Sequence, residues 1–190
     1  EPQKQNIMHE ILSEEDVKSL LHESLENKKF IREYIGGIEL LHNTKKWCLW
    51  LNHHSPREIS KSQFIMDRVK KVKEFRISSG RKQTQSLADV PFLFGEIRQP
   101  DSDMLVIPKV SSERRRYIPI GFVPSTTIVS GSALIIPDAD MYIFGVMESN
   151  VHNSWMRLVA GRMKSDYQYS KNVVYNNFPW PNPTNEQRDL

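Results

Sequence analysis

The residues best equipped for chemistry lie in one polar stretch, Lys109 followed by Ser111-Ser112-Glu113-Arg114-Arg115-Arg116-Tyr117. It sits between apolar runs that read as strands. Serine hydroxyls and arginine forks at this density suit phosphate oxygens. The same residue types read base edges, because Arg pairs bidentately with guanine and Glu accepts from the cytosine amine. Glu113 is the only acid in this cationic loop, where a carboxylate would not help to grip phosphates. In an extended strand, residues two apart share a face. Glu113 and Arg115 are therefore expected to read bases together, with Arg114 and Arg116 on the other side. Thr126, Thr127 and Ser130 on the next strand are reserve readers. Lys109, Ser111, Ser112, Arg114, Arg116 and Tyr117 are expected to hold the nucleic-acid backbone. The plain alternative is a solvated hairpin loop in which Glu113 pairs with a neighbouring Arg. A second cluster at Arg162-Met163-Lys164-Ser165-Asp166-Tyr167 adds Arg162, Lys164 and Ser165 to the backbone set. Its alternative is cationic compensation of a helix C-terminus.

Catalytic patterns are missing where they would be needed. Gly36-Gly37 lacks the G-x-G-x-x-G spacing of a nucleotide-type loop. Asn177-Phe178-Pro179-Trp180-Pro181 has no Pro-Pro step, so it is not the tetrapeptide that holds a target adenine amine. Pro100-Asp101 has no downstream acid-x-Lys triplet to complete a divalent-metal nuclease site. His53-His54 has no other ligands at metal spacing and reads as a polar turn. The serines near the histidines form no nucleophile elbow. No catalytic residue, metal site or cofactor site is expected in the chain itself.

The bulk properties agree with a binding role. The 190 residues carry 26 Lys and Arg against 23 Asp and Glu, a net charge of +3 that alone says little. The charge is concentrated, however. Residues 57–82 hold nine cations and three acids, a local excess of six. The single Cys48 excludes an intrachain disulfide, fits a reducing compartment, and sits in the apolar run Trp47–Leu51. No apolar stretch approaches the ~20 residues of a membrane span. The polar start, Glu1-Pro2-Gln3-Lys4-Gln5, and the polar close suggest a piece of a longer polypeptide with no signal peptide.

The elements that must position these residues give an α+β fold: a β-rich recognition domain with a basic helix, then a helical C-terminal segment. Residues 1–29 read as a helical linker, with Ser13 capping a first turn of Glu14, Glu15 and Asp16, and Val17, Leu20, Leu21 and Leu25 as its apolar stripe. Ile38–Leu41 and Trp47–Leu51 read as strands around a turn at Asn43-Thr44-Lys45. Residues 57–77 read as one helix with Ile65, Met66, Val69 and Val72 on one face. Lys70 and Lys71 lie opposite, as backbone contacts for DNA or as a surface that docks on an acidic partner. Pro91–Phe94, Met104–Ile107, Tyr117–Val123, Thr126–Val129, Ala133–Ile136 and Met141–Met147 read as short β runs. Ser149-Asn150 then caps a helix that presents Val151, Trp155, Leu158, Val159 and Met163 on one face.

Three long stretches resemble the recognition domain of single-chain, type IIL restriction–modification enzymes. They are Val110–Phe122, Phe144–Arg157, and Gly161–Ser170 running on to Val174–Pro181; Tyr34–Gly37 with Trp47–Leu51 looks like the start of the same region. The likeness covers roughly residues 30–183. It implies a division into a linker at 1–29 from a preceding methyltransferase domain, a DNA target-recognition domain at 30–137, and a bracing segment at 138–190. It further implies double-stranded DNA as partner, an N6-adenine methyltransferase domain in the same polypeptide, S-adenosylmethionine as that domain's cofactor, and a bacterial cytoplasmic setting. The alternative function is a protein-interaction module docked on an acidic catalytic partner.

Overall fold

The computed structural model describes residues 10–188, so the first nine residues of the expected linker lie outside the described residues. In chain order the first elements are β1 (Ile11–Leu12), α1 (Glu14–Glu23), a 3-10 helix (Leu25–Phe30), β2 (Ile31–Ile35), α2 (Gly37–His42) and β3 (Trp47–Leu49). Then come α3 (Pro56–Ile59), α4 (Gln63–Ser78), α5 (Lys82–Gln85), a 3-10 turn (Ser86–Asp89), β4 (Met104–Pro108), β5 (Val110–Ser111), β6 (Gly121–Val123), β7 (Ile128–Val129) and β8 (Ala133–Pro137). The last are α6 (Met141–Glu148), α7 (Asn150–Val159), β9 (Gly161–Met163), β10 (Asp166–Gln168), a π-helical turn (Lys171–Tyr175) and α8 (Asn185–Arg188). The mixture is α+β, as expected. The chain forms two compact units, threaded through each other in sequence.

Of the described residues, the first unit takes 10–34, Lys45–Gln99 and Thr126–Ile128. Its sheet runs β1-β3-β2-β7, with Ile11 opposite Cys48 and Ile31 opposite Leu49. Ser13 caps α1 as its sequence predicts: its hydroxyl accepts the Asp16 N–H, and the Asp16 carboxylate accepts the Ser13 N–H. Leu20 is buried, but Leu25 lies past the helix end and is exposed. The stripe therefore stops one turn earlier than its spacing suggests. The expected helix at 57–77 is two helices. Ser55 and Glu58 box the start of α3, with Pro56 at the first helical position. Ser62 starts α4 afresh by accepting the Ile65 N–H and donating to Glu23. Ile65 and Val72 bury against the core, each contributing roughly 1.5–3 kcal/mol. Met66, by contrast, faces solvent.

Arg76 departs from the sequence reading most. Its charge belongs to the basic excess of 57–82, yet it is fully buried. Its guanidinium donates to the carbonyls of Leu87, Val90 and Leu93 at 3.0, 2.9 and 2.7 Å and to Glu10 at 3.3 Å. It thereby ties together the segment 87–93, whose Pro91–Phe94 run is turn and not strand. Arg68 is also engaged, with Asp16 at 2.5 Å and the Ile11 carbonyl at 3.0 Å. The cations that α4 displays are Lys70, Lys71 and Lys73.

Of the described residues, the second unit takes Ile35–Thr44, Pro100–Ser125 and 129–188. Buried β4 is the centre of a sheet ordered β6-β4-β8, with Leu105 opposite both Phe122 and Ile136. A second sheet runs β5-β10-β9. Two runs expected as strands are helices. Ile38–Leu41 belongs to α2, because the Glu39 carboxylate reaches back to the Gly36 N–H at 3.0 Å and Asn43 closes the helix in the left-handed region. Met141–Met147 belongs to α6, because Asp140 caps it by accepting the Ile143 N–H at 2.8 Å. Short apolar runs do not separate helix from strand by period alone.

Ser149 does cap α7, accepting the His152 N–H. The face that α7 buries is only partly the expected one: Trp155 and Val159 do pack against the core, beside buried Met156. Val151 and Leu158 are 70% and 81% exposed, while His152 and Asn153 are at 0%. Met163 lies outside the helix, on β9. Burial of polar groups is tolerated when every bond is made. The Met147 carbonyl can only accept, so His152 Nδ1 carries the hydrogen at 3.0 Å, and Nε2 accepts from the Tyr169 hydroxyl at 3.1 Å. Burial pulls the His152 pKa down and pushes that of Tyr169 up, which keeps both neutral. Phe178 meets the His152 ring edge-on at 4.8 Å. Asn177 donates to the Asn172 and Val173 carbonyls, so the Asn177–Pro181 segment is a structural latch.

Candidate nucleic-acid interface

The central loop is a tight turn. Glu113 and Arg114 form its corner, with the Arg115 N–H on the Ser112 carbonyl at 3.1 Å and the Arg114 N–H on the Ser112 hydroxyl at 3.4 Å. The strand alternation expected for Glu113 and Arg115 does not apply, because only Ser111 and its predecessor belong to β5. Glu113 instead faces Arg162 at 3.7 Å, with both side chains about half exposed. Arg162 stacks on Tyr167 at 3.8 Å and donates to the Ser165 carbonyl at 2.8 Å. The two clusters singled out in the sequence thus meet in the second unit, through Glu113 and Arg162. Lys164 and Ser165 form the exposed tip of the β9–β10 hairpin, with Lys164 at φ 58°.

One face of α7 holds the far side of the turn. Asn150, Asn153 and Arg157 follow at spacings of three and four, which share a helix face. Asn150 Oδ1 accepts the Tyr117 hydroxyl at 3.0 Å, Asn153 Oδ1 accepts the Ile118 N–H at 2.9 Å, and Arg157 donates to the Arg116 carbonyl. Asn153 Nδ2 is itself fixed by the carbonyls of Met147 and Ser149. Arg116 lies over the Tyr117 ring at 5.3 Å. These holding residues escape the sequence reading, although their i, i+3, i+7 spacing of polar groups is visible there. Arg114 and Arg115 remain exposed, with no ion-pair or hydrogen-bond partner for their side chains among the described residues. The turn therefore presents two free guanidiniums on a backbone fixed at both ends.

Other expected contacts are placed differently. Ser111 is buried, and its hydroxyl has no hydrogen-bond partner among the described residues. Thr127 is 3% exposed, whereas Thr126 is open. Ser130 shares a hydrogen bond with Ser132 at 2.7 Å. Lys109 is half-buried beside β5. In the first unit, Lys70 and Lys71 are exposed on α4, and Lys70 lies 4.0 Å from Glu74.

The glycine pair is a closed structure and not a cofactor loop. The Gly36 N–H goes to Glu39, and the Gly37 N–H goes to the Ser132 hydroxyl at 3.0 Å. A Cβ on Gly36 would lie 2.6, 2.7 and 2.8 Å from the side-chain oxygens of Ser130, Ser132 and Glu39. The amides that a phosphate or a cofactor carboxylate would need are consumed internally, so this turn does not fit S-adenosylmethionine. His53 is exposed in a turn at φ 67°, and His54 packs edge-on against Phe30 at 4.7 Å. Among the described residues no group of three His, Cys, Asp or Glu is placed to hold a metal ion, and no helix is long and apolar enough to cross a membrane.

Comparison with known proteins gives concordant matches. The chain is 37% identical over 152 residues to DNA methyltransferase A of Bacillus subtilis (strain 168), which covers 80% of the chain and 17% of that protein. It superposes with a TM-score of 0.91 and 41% identity on the solved structure of the Type IIL restriction-modification enzyme MmeI in complex with DNA, covering 95% of the chain and 24% of that one. The chain thus spans a quarter or less of either relative. The family model for the MmeI target recognition domain matches residues 3–182, and the chain belongs to that family.

Proposed function

We propose that this chain is the double-stranded DNA recognition module of an N6-adenine DNA methyltransferase or restriction–modification enzyme, with the catalytic parts elsewhere in the same polypeptide. The observation that carries the reading is the turn at 112–117, which presents free Arg114 and Arg115 while α7 holds its far end and the pairing of β5 with β10 holds its near end. The relatives support it, since one is a DNA methyltransferase and another was solved with DNA bound. A methyltransferase that flips an adenine must hold the duplex and recognise the bases around it. Arg115 and Glu113 are the proposed base readers, with Thr126 and Ser130 in reserve. Arg114, Arg116, Ser112, Tyr117, Arg162, Lys164, Ser165 and Lys109 hold the backbone, joined by Lys70 and Lys71 of α4. Ser111, of the backbone set, and Thr127, of the reserve readers, are the two buried members. The methyl donor, S-adenosylmethionine, belongs to the catalytic domain, as does the chemistry it supplies. This assignment places the protein in the bacterial cytoplasm.

The test has two arms. Incubated with labelled methyl donor and varied duplexes, the chain alone is expected to transfer no methyl group above a heat-killed control. The full polypeptide carrying it is expected to bind its preferred duplex more tightly than duplexes altered at single base pairs. Equal binding to all of them, with strong salt dependence, would leave a nonspecific basic surface and overturn the reading.

A further inference from the structure

The second unit also carries an open groove of about 670 Å³. Besides Tyr169, whose hydroxyl is engaged by His152, its polar lining is Lys109, Gln168, Ser170, Lys171 and Asn172, and Leu134 and Val159 contribute apolar surface. The segments are stitched together by the Tyr169 N–H, which donates to the Lys109 carbonyl at 2.8 Å. That bond brings Lys109 to the start of the chain stretch that carries Lys171. The groove contains two cations and no carboxylate. Among the described residues, none of its five polar side chains has a hydrogen-bond or ion-pair partner. This contrasts with Arg157 and Arg162 of the same unit, which internal contacts occupy. The groove thus combines two free ammoniums, two amide side chains and a hydroxyl with a partly apolar wall. A phosphodiester suits that set: its oxygens accept from ammonium, amide and hydroxyl groups, and its sugars offer apolar faces.

We infer that this groove holds a phosphodiester of the bound DNA backbone, with Lys171 and Lys109 as its cations and Ser170 and Asn172 as neutral donors. The inference rests on the DNA-recognition reading above. It adds Lys171, Ser170 and Asn172 as contacts, and it assigns them grip without sequence choice.

The experiment uses the full polypeptide, with Lys171→Gln, Lys109→Gln, the double variant and Lys171→Arg. Each is titrated with the preferred duplex and with single-base-pair variants of it at several salt concentrations. The double Lys→Gln variant is expected to lower the magnitude of the log–log salt slope by roughly 0.9, for the one phosphate lost, each single variant by less than that, and all of them to weaken all duplexes by a common factor. Lys171→Arg keeps the charge and should restore the slope. Duplexes carrying a neutral methylphosphonate at one position at a time should include one position that weakens the unmodified protein but not the double Lys→Gln variant. Unchanged slopes in folded Gln variants, with the wild type still discriminating sequences, would overturn the groove assignment alone. A wild type that discriminates no sequence would overturn the reading beneath it as well.

Discussion

Arg115 and Glu113 differ in what the fold leaves them free to do. Arg115 has no internal partner among the described residues, whereas Glu113 shares Arg162, which also serves Tyr167 and the Ser165 carbonyl. An exposed ion pair of this kind contributes only ~0–1 kcal/mol, so under the proposed function bound DNA would draw Glu113 away at little cost. Exchanging the charges, Glu113→Lys with Arg115→Asp, is expected to shift the preferred sequence at one base pair by about 1–3 kcal/mol of discrimination. Methylation or binding profiles of the full polypeptide would measure it; a uniform loss on every sequence in a folded variant would make the turn a grip and not a reader. At the same scale, burial pushes the Glu10 carboxyl up to about 8 against the opposing pull of Arg76. The folded state then holds this proton more tightly than the unfolded state does. Stability is therefore expected to fall as pH rises from the ordinary glutamate value of 4.5 to about 8. Glu10→Gln should flatten that part of a melting-temperature profile against pH, and an unaltered slope would place its cause elsewhere.

Among the elements, α7 is the one whose role in the site is largest. Asn153→Ala removes the acceptor of the Ile118 N–H and the donor to two carbonyls, all at a buried position. Leaving such groups unpaired costs about 1–3 kcal/mol, to be read as a lower melting temperature. The turn should also lose its fixed end, so discrimination between duplexes should drop more than affinity for unrelated DNA. On α4, Lys70→Ala with Lys71→Ala is expected to weaken all duplexes alike. The salt slope should fall by roughly 0.9 for each phosphate that the helix no longer neutralises; an unchanged slope would assign this helix to docking on an acidic partner. Ser13, Ser149, β4 and β8 are legible in the sequence, because caps and β-branched runs are local signals. Helices α2 and α6 are not, since their apolar runs are too short to show a period, although Asp140 is a cap of the same local kind as Ser149. Nor is Arg76, since a guanidinium counts as surface charge until carbonyls from 11 to 17 residues away surround it. The polar face of α7 is visible as spacing, but Val151 and Leu158 share a periodic face with the packed Trp155 and Val159, so the spacing does not show that these two stay exposed.

For the whole molecule, the linear division into 1–29, 30–137 and 138–190 remains a proposal about function. The compact units follow a different threading, with 35–44 and 126–128 each assigned to the unit that does not hold their immediate neighbours on both sides. The site reflects this: Glu113 and Arg162 are 49 positions apart, yet form one contact within one unit. Family membership is legible because the motifs around the turn and along 161–181 are long and unusual. Under the proposed function this surface reads DNA sequence. The most direct test is selection of duplexes from a randomised pool by the full polypeptide, followed by sequencing of the bound fraction. Enrichment of one short motif is the predicted result. Recovery of unbiased sequence by a folded protein, at every salt concentration, would contradict it.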